Sequence, residues 1–348
     1  MASKVGIRNA IPGGTSSHLL AFQWVPPYLL AAARYPHKIR KIGEFTINVL
    51  AVAMARQVQR AKQDGFDMEI HSIDWNTVWR EQRRRHHEAN RNSADASFWD
   101  AKGAARRFYQ AAQENNGERI EKTLRGLPLT PSSRVLDVGS GPGTLAIPIA
   151  RRVSHVTAVE PSEGMRSVFD EEVTAERIGN IDVVPKRWED INVADDLNPP
   201  YDVVFASYSL DVPDIVDAVR KLEEASSRYV YIYWFAGETS WDAMSRELWP
   251  LLHGSSYASS PKCDILYNVL YSMDIYPNIE TFPLRHINRF ADLSEAIEHL
   301  ASKCFAVTGE QKEVLRQYLE EHARSEGGGI TIPGHSTRVK IWWEKTDL

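Results

Sequence analysis

From Ser133 onward the chain alternates between two hydrophobic patterns. RVLDVGS (134–140), HVTAVEPS (155–162), the head of IDVVPKRWEDI (181–191), YDVVFASYSL (201–210) and RYVYIYWF (228–235) are short, continuous apolar runs rich in β-branched and aromatic residues. Runs of that length and content predict buried strands. Helical segments such as TLAIPIARR (144–152) lie between them. Strands alternating with helices predict a parallel sheet covered on both faces. The pattern then loosens. Residues 237–277 are rich in Trp and Tyr and read as a helical insertion, and NIETFPLRHINRF (278–290) reads as a sixth strand. Two helices follow, each opened by a capping-box pair, Asp292 with Glu295 and Thr308 with Gln311. GHSTRVKIWWEK (334–345) reads as a last strand after a glycine turn.

The N-terminal part is different. In KIGEFTINVLAVAMARQVQRAKQDG (41–65), Ile42, Phe45, Val49 and Val52 fall at helical steps, so residues 1–68 read as a helical extension. The apolar stretch 18–33 is interrupted by Gln23, Pro26 and Pro27 and is too short to span a bilayer. No signal-peptide pattern is present, and the expected location is the cytoplasm. Residues 69–126 read as a helical cap segment, and 127–348 as the principal domain with a lid at about 237–277. WREQRRRHHEANR (79–91) is the one strongly basic run. It reads as a solvated helix face or as a contact for RNA or another anion. The aromatic residues of SFWDAKGAARRFYQAA (97–112) suit the core, or closure over a ligand.

Composition narrows the classes. The chain has 348 residues, 43% hydrophobic and 25% charged, as in an ordinary globular enzyme. A net charge of −5 makes nucleic acid an improbable partner. Cys263 and Cys304 are the only cysteines, too few for a disulfide framework or a cysteine-based metal site, so no metal is expected. Asn198-Pro199-Pro200-Tyr201 leads into the fourth strand, where an asparagine and two prolines read as a turn.

The chemistry is concentrated in VLDVGSGPGTLAIPIA (135–150), where Asp137, Gly139, Gly141 and Gly143 form D-x-G-x-G-x-G at a strand-to-helix turn. Glycines there let a ligand lie against bare backbone. Glu160 ends the next strand, where a carboxylate can accept both hydroxyl hydrogens of a ribose. A dinucleotide fits formally, because Gly141, Gly143 and Ala146 satisfy G-x-G-x-x-[GA], but it has no use for Asp137. S-adenosylmethionine has an ammonium for that acid and no pyrophosphate.

With DVGSGPG, AVEPSEGM, KRWEDI and YDVVFASYSL in this order, the chain resembles the class I, Rossmann-like S-adenosylmethionine-dependent methyltransferases, in their small-molecule branch. The resemblance covers roughly 95–348. It implies an α/β, doubly wound seven-stranded sheet with an antiparallel last strand, here with a helical insertion after strand five. It implies that Asp137 and Gly139 hold the methionine end, Gly141 and Gly143 shape the loop and Glu160 binds the ribose. Met165 would lie against the adenine, Trp188 and Glu189 would flank it, and Ser207 would face the sulfonium. For Met165 and Trp188 core packing is the competing reading. Candidate bases are Tyr208, Asp211, His253, His286 and His335, with Asp211 first because it follows the fourth strand directly. The expected activity is methyl transfer to a small-molecule acceptor. The alternatives are an RNA or protein methyltransferase, a binding protein without turnover and a nicotinamide-dependent oxidoreductase.

Overall fold

The computed structural model describes residues 73–89, 97–326 and 328–345, and residues 73–348 form one compact unit. The extension 1–68 and its expected helix at 41–65 lie outside the described residues. Three helices precede the sheet: α1 (Trp75–Ala89), α2 (Ser97–Asp100) and α3 (Lys102–Arg125). Then β1 (Arg134–Val138), α4 (Ala146–Ala150), β2 (His155–Val159), α5 (Glu163–Glu176), β3 (Ile181–Val184), α6 (Val193–Asp196), β4 (Tyr201–Ser207), α7 (Ile215–Ala225) and β5 (Ser226–Phe235) alternate as the apolar runs predict. The insertion supplies α8 (Ser240–His253) and α9 (Cys263–Ser272), followed by β6 (Asn278–Phe290), α10 (Leu293–Cys304), α11 (Gly309–His322), β7 (Arg324–Glu326) and β8 (Gly329–Glu344).

The strand order is β3-β2-β1-β4-β5-β8-β6. β1 to β5 are parallel, and β8 runs antiparallel to both β5 and β6. The three-residue β7 pairs with the start of β8 and brings the sheet to eight strands. Alternation along each strand divides the core. Leu136, Val204, Ile232 and Ile341 point to the face covered by α1, α7 and α9, with Trp79, Leu222 and Leu266. Val135, Val203, Phe205 and Tyr231 point to the face covered by α3, α4 and α5, with Leu124, Ile147 and Phe169.

β5 ends at Phe235 opposite Arg338, so the first half of β8 runs on past the carboxyl end of the parallel strands, paired with β6. That projecting ribbon has its own core. Leu248 and Leu252 of α8 pack with Ile297 and Leu300 of α10, Leu315 and Leu319 of α11, and Phe290 and Ile332 of the ribbon. Capping explains where these helices start. The Thr308–Gln311 box is complete, while Asp292 caps Glu295 N–H and Glu295 accepts from Ala291 instead. α8 opens on a third box, Thr239 with Asp242.

The amino-terminal helix is tied to the segment after β4. Trp79 is fully buried, its indole N–H donates to the Val212 carbonyl at 2.9 Å, and its ring lies 5.8 Å from that of Trp234. Replacing it leaves a large cavity and an unpaired carbonyl. Trp79→Ala is expected to lower stability by about 3–5 kcal/mol, measured by urea denaturation.

Candidate functional site

β1 carries Asp137 into the centre of the sheet, opposite Phe205 of β4 and Ala158 of β2. Its side chain is buried, and Oδ2 has no hydrogen-bond partner. The chain then turns through Gly139, Gly141 and Gly143, all at positive φ. At Gly139 a Cβ would sit 2.2 Å from Ser209 Cβ, and at Gly143 it would strike Phe169 at 2.4 Å. Both positions therefore exclude a side chain on conformation and on space. The turn is moored to β2, since Gly139 N–H and Ser140 N–H both donate to the Val159 carbonyl, at 2.8 and 3.1 Å. Ser140 Oγ is a second buried polar atom without a partner.

Glu160, at the end of β2, is buried and accepts from Gly141 N–H at 2.7 Å and Ser162 N–H at 2.8 Å. One bond goes to each carboxylate oxygen, which leaves each a further lone pair. Burial raises the pKa of Glu160, partly offset by those two N–H bonds. Burial raises that of Asp137 well above its ordinary value, and the neighbouring Glu160 charge adds to it. Two partly desolvated acids with unused acceptor capacity fit a ligand that brings a cation and a pair of hydroxyls.

Met165 is buried on α5, with its sulfur 4.0 Å from where a Gly141 Cβ would be, and it packs with Ala105, Val168 and Tyr109. Ser207 ends β4 opposite Tyr233. Tyr208 follows at positive φ, and Ser209 donates through its hydroxyl to the Val138 carbonyl. So the structure gathers Asp137, the three glycines, Glu160, Met165 and, through Ser209, the end of β4. Trp188 and Glu189 follow β3, the strand that pairs with β2. Trp188 is buried in the core and donates to the Ala218 carbonyl of α7 at 3.2 Å, while the exposed Glu189 offers its backbone carbonyl to Lys221.

The candidate bases separate equally clearly. His253 is bonded to the Cys304 carbonyl at 2.8 Å, within the contact between α8 and α10. His286 packs 6.0 Å from the Trp241 ring, and burial lowers its pKa, helped by Arg338. The backbone N–H of His335 donates to Ser240 Oγ. Asp211 accepts from Arg83 Nε at 2.9 Å and is bonded to His87 Nε2 at 2.8 Å, both on α1. Burial pushes Asp211 up, but the His87 hydrogen bond and the Arg83 charge outweigh it and hold the carboxyl below its ordinary range. A carboxylate so held is a weak proton acceptor. Sequence reasoning passed over Ser140, Ser209 and His87. Ser140 stood inside the glycine motif, and His87 stood in the basic run.

Asn198-Pro199-Pro200-Tyr201 lies at the amino end of β4, away from the glycine turn. Arg134 donates to the Asn198 and Pro200 carbonyls there, and the buried Tyr201 hydroxyl donates to Thr157 Oγ1 at 3.0 Å.

A mostly parallel doubly wound sheet with an antiparallel strand beside β5, a glycine turn after β1 and acids on β1 and β2 define a Rossmann-like fold. Residues 135–227 match the family model of the methyltransferase domain. That match identifies a methyltransferase domain within this span. An uncharacterized protein of Haemophilus influenzae is 28% identical over 230 residues, 64% of this chain and 80% of that protein. The YcgJ protein of Bacillus subtilis is similar at 13% identity over 66% of this chain and 99% of its own, with a TM-score of 0.46. Magnesium protoporphyrin IX methyltransferase of Synechocystis PCC 6803 is similar at 14% identity over 68% and 84%, with a TM-score of 0.39. Among the described residues no helix is long and apolar enough to cross a membrane.

Both acids have pKa values raised in the folded protein. Their stability contribution is therefore fully present below the unfolded pKa, about 4, and is lost as pH rises through the folded values. Binding a cation needs Asp137 ionised, so the effect on the ligand runs the other way. S-adenosylhomocysteine affinity is expected to rise with pH across the raised range, with proton release on binding. Calorimetry in two buffers of different ionisation enthalpy measures both. Asp137→Asn is expected to weaken binding while leaving the melting temperature unchanged or higher.

Proposed function

We propose that this protein transfers a methyl group from S-adenosylmethionine to a small organic acceptor. In this reading Asp137 holds the ammonium, with Ser140 Oγ beside it on the loop, and Gly139, Gly141 and Gly143 leave room for the methionine end. Glu160 accepts from the ribose hydroxyls with its two remaining lone pairs. Met165 packs on the adenine side. Trp188 supports that side through its ring, its N–H being used on Ala218, and Glu189 stands at the outer edge. Ser207 and Tyr208 face the transferring methyl. The cofactor supplies a methyl carbon already activated on sulfur, so the protein needs chiefly to orient and desolvate the acceptor.

The observation that carries the small acceptor is the aromatic cluster at the carboxyl ends of β4 and β5. Tyr208 and Phe235 lie 5.1 Å apart, and Phe235 lies 5.4 Å from Trp241. The Arg338 guanidinium sits 4.4 Å from the Tyr208 and Phe235 ring centres and 5.3 Å from that of Trp241. Ring faces of this kind favour a flat or apolar partner, and a fixed cation sets its polarity. The basic run supports the same reading by what it does instead of binding RNA. Arg80 pairs with Asp214, Arg83 with Asp211, Arg84 with Glu81 and Glu88, and Arg85 with Glu81. Charges already neutralised by carboxylates add little to a phosphate-binding surface.

The test uses S-adenosylmethionine labelled in the methyl group, with purified protein and source-cell extract separated afterwards into small molecules, RNA and protein. Label is expected in the small-molecule fraction. Label in RNA or protein would replace this reading with a macromolecular one, and binding without transfer would make the chain a binding protein. Asp137→Ala removes a charge-assisted contact of about 1.5–3 kcal/mol. It is expected to weaken cofactor binding about 10- to 100-fold, read by calorimetry.

A further inference from the structure

We propose that His87, held by Asp211, is the proton acceptor of this methyl transfer, and that the acceptor is therefore a compound with an O–H or N–H proton to lose. This rests on the small-molecule methyltransferase reading above and deepens it.

The geometry begins with the hydrogen bond of 2.8 Å between His87 Nε2 and Asp211 Oδ2. An ionised carboxylate only accepts, so Nε2 carries the hydrogen and the neutral ring has its lone pair on Nδ1. Arg83, bonded to Asp211 Oδ1 at 2.9 Å and to its carbonyl at 3.1 Å, keeps that carboxylate ionised. His87 Nδ1 is buried and has no hydrogen-bond partner. A buried acceptor left unpaired costs free energy, and such atoms recur where a ligand completes the bonding. An imidazole oriented by a carboxylate, with its second nitrogen free to take a proton, is the arrangement general-base chemistry needs.

Position connects this pair to the donor loop. Ser209 Cβ lies 2.2 Å from where a Gly139 Cβ would be, and Asp211 is two residues further along. Two residues span at most about 7 Å. Asp211, which holds His87, therefore stands close along the chain to the loop that takes the methionine end. It is also fixed. α1 is stitched to the segment after β4 by Trp79 to the Val212 carbonyl, Arg83 to Asp211, and Asn76 and Arg80 to Asp214. Against the ring lie Asp211 after β4 and, edge-on at 5.5 Å, His86 on α1, and Arg83 shares Asp211 with it. Tyr257 meets His86 edge-on at 6.0 Å and bonds the buried Asp242, which also pairs with Lys262. His86 is a different case, since its Nδ1 is bonded to the Ala258 carbonyl at 2.7 Å.

The step balances as follows. A lone pair on the acceptor oxygen or nitrogen forms a bond to the methyl carbon. The carbon–sulfur bond of the donor breaks, and its electron pair stays on sulfur, which becomes a neutral thioether. The acceptor proton passes to His87 Nδ1, and the resulting imidazolium is stabilised by Asp211 before it returns the proton to water. Asp211 is thus a positioning residue.

The test follows label from methyl-labelled S-adenosylmethionine into the low-molecular-weight fraction of source-cell extract, with S-adenosylhomocysteine binding measured alongside. His87→Gln is expected to lower the saturated rate by about 100-fold or more, with cofactor affinity and apparent KM little changed. Loss of the acid limb of the wild-type pH profile, and partial restoration of His87→Ala by added imidazole, are expected with it. Asp211→Asn is expected to give a smaller loss. A His87→Gln rate within about threefold of wild type overturns the proposal and leaves the methyltransferase reading intact. Loss of cofactor binding together with rate makes His87 structural and also overturns it. If the wild type binds S-adenosylhomocysteine and labels no small molecule, the underlying reading fails, and the dyad with it.

Discussion

A carboxylate buried in the middle of a parallel sheet, with one oxygen unpartnered, is the constraint around which this molecule is arranged. Asp137 has no cation beside it among its described partners, and Glu160 adds a second desolvated acid. Isolated buried charge is costly, so the fold tolerates the pair by raising both pKa values. The glycine turn is the necessary companion. Ser209 leaves no space for a side chain at Gly139, and Phe169 leaves none at Gly143, so bare backbone faces the two acids.

The second arrangement is the length of β8. It is central to the sheet over its second half, between β5 and β6, and leaves the sheet as a ribbon over its first. The ribbon carries Arg338 and the α8, α10 and α11 core to the carboxyl ends of the parallel strands. Antiparallel entry is what permits this, because a strand running the other way reaches the carboxyl ends first and can project beyond them. Tyr208 after β4, Phe235 of β5 and Trp241 of α8 then close around one guanidinium.

Helix α1 has a role that its composition hides. Its arginines look like an anion-binding stripe, yet they pair with Glu81, Glu88, Asp211 and Asp214. Half of those partners are neighbours on the same helix and add little stability. The other half lie after β4, and they anchor the helix there together with Trp79. The same contacts that neutralise the basic run place His87 against Asp211.

The five parallel strands, their order of occurrence and the glycine turn are legible in the sequence, because they follow from local periodicity and from a backbone conformation that only glycine adopts freely. Asp137 and Glu160 are legible for the same reason, each standing at a fixed offset from that turn. The last strand is legible as Ile341-Trp342-Trp343, but its extension to Gly329 and the extra β7 are not, since pairing with β6 lengthens it. What tertiary structure alone decided is the use of side chains that could have served several ends. Trp188 spends its N–H on Ala218, thirty residues away, and Asp211 is claimed by a helix more than a hundred residues before it. Of two adjacent histidines, one bonds a backbone carbonyl and the other a carboxylate. Those outcomes depend on which distant surfaces meet, and a hydrogen bond across the fold leaves no period in the chain.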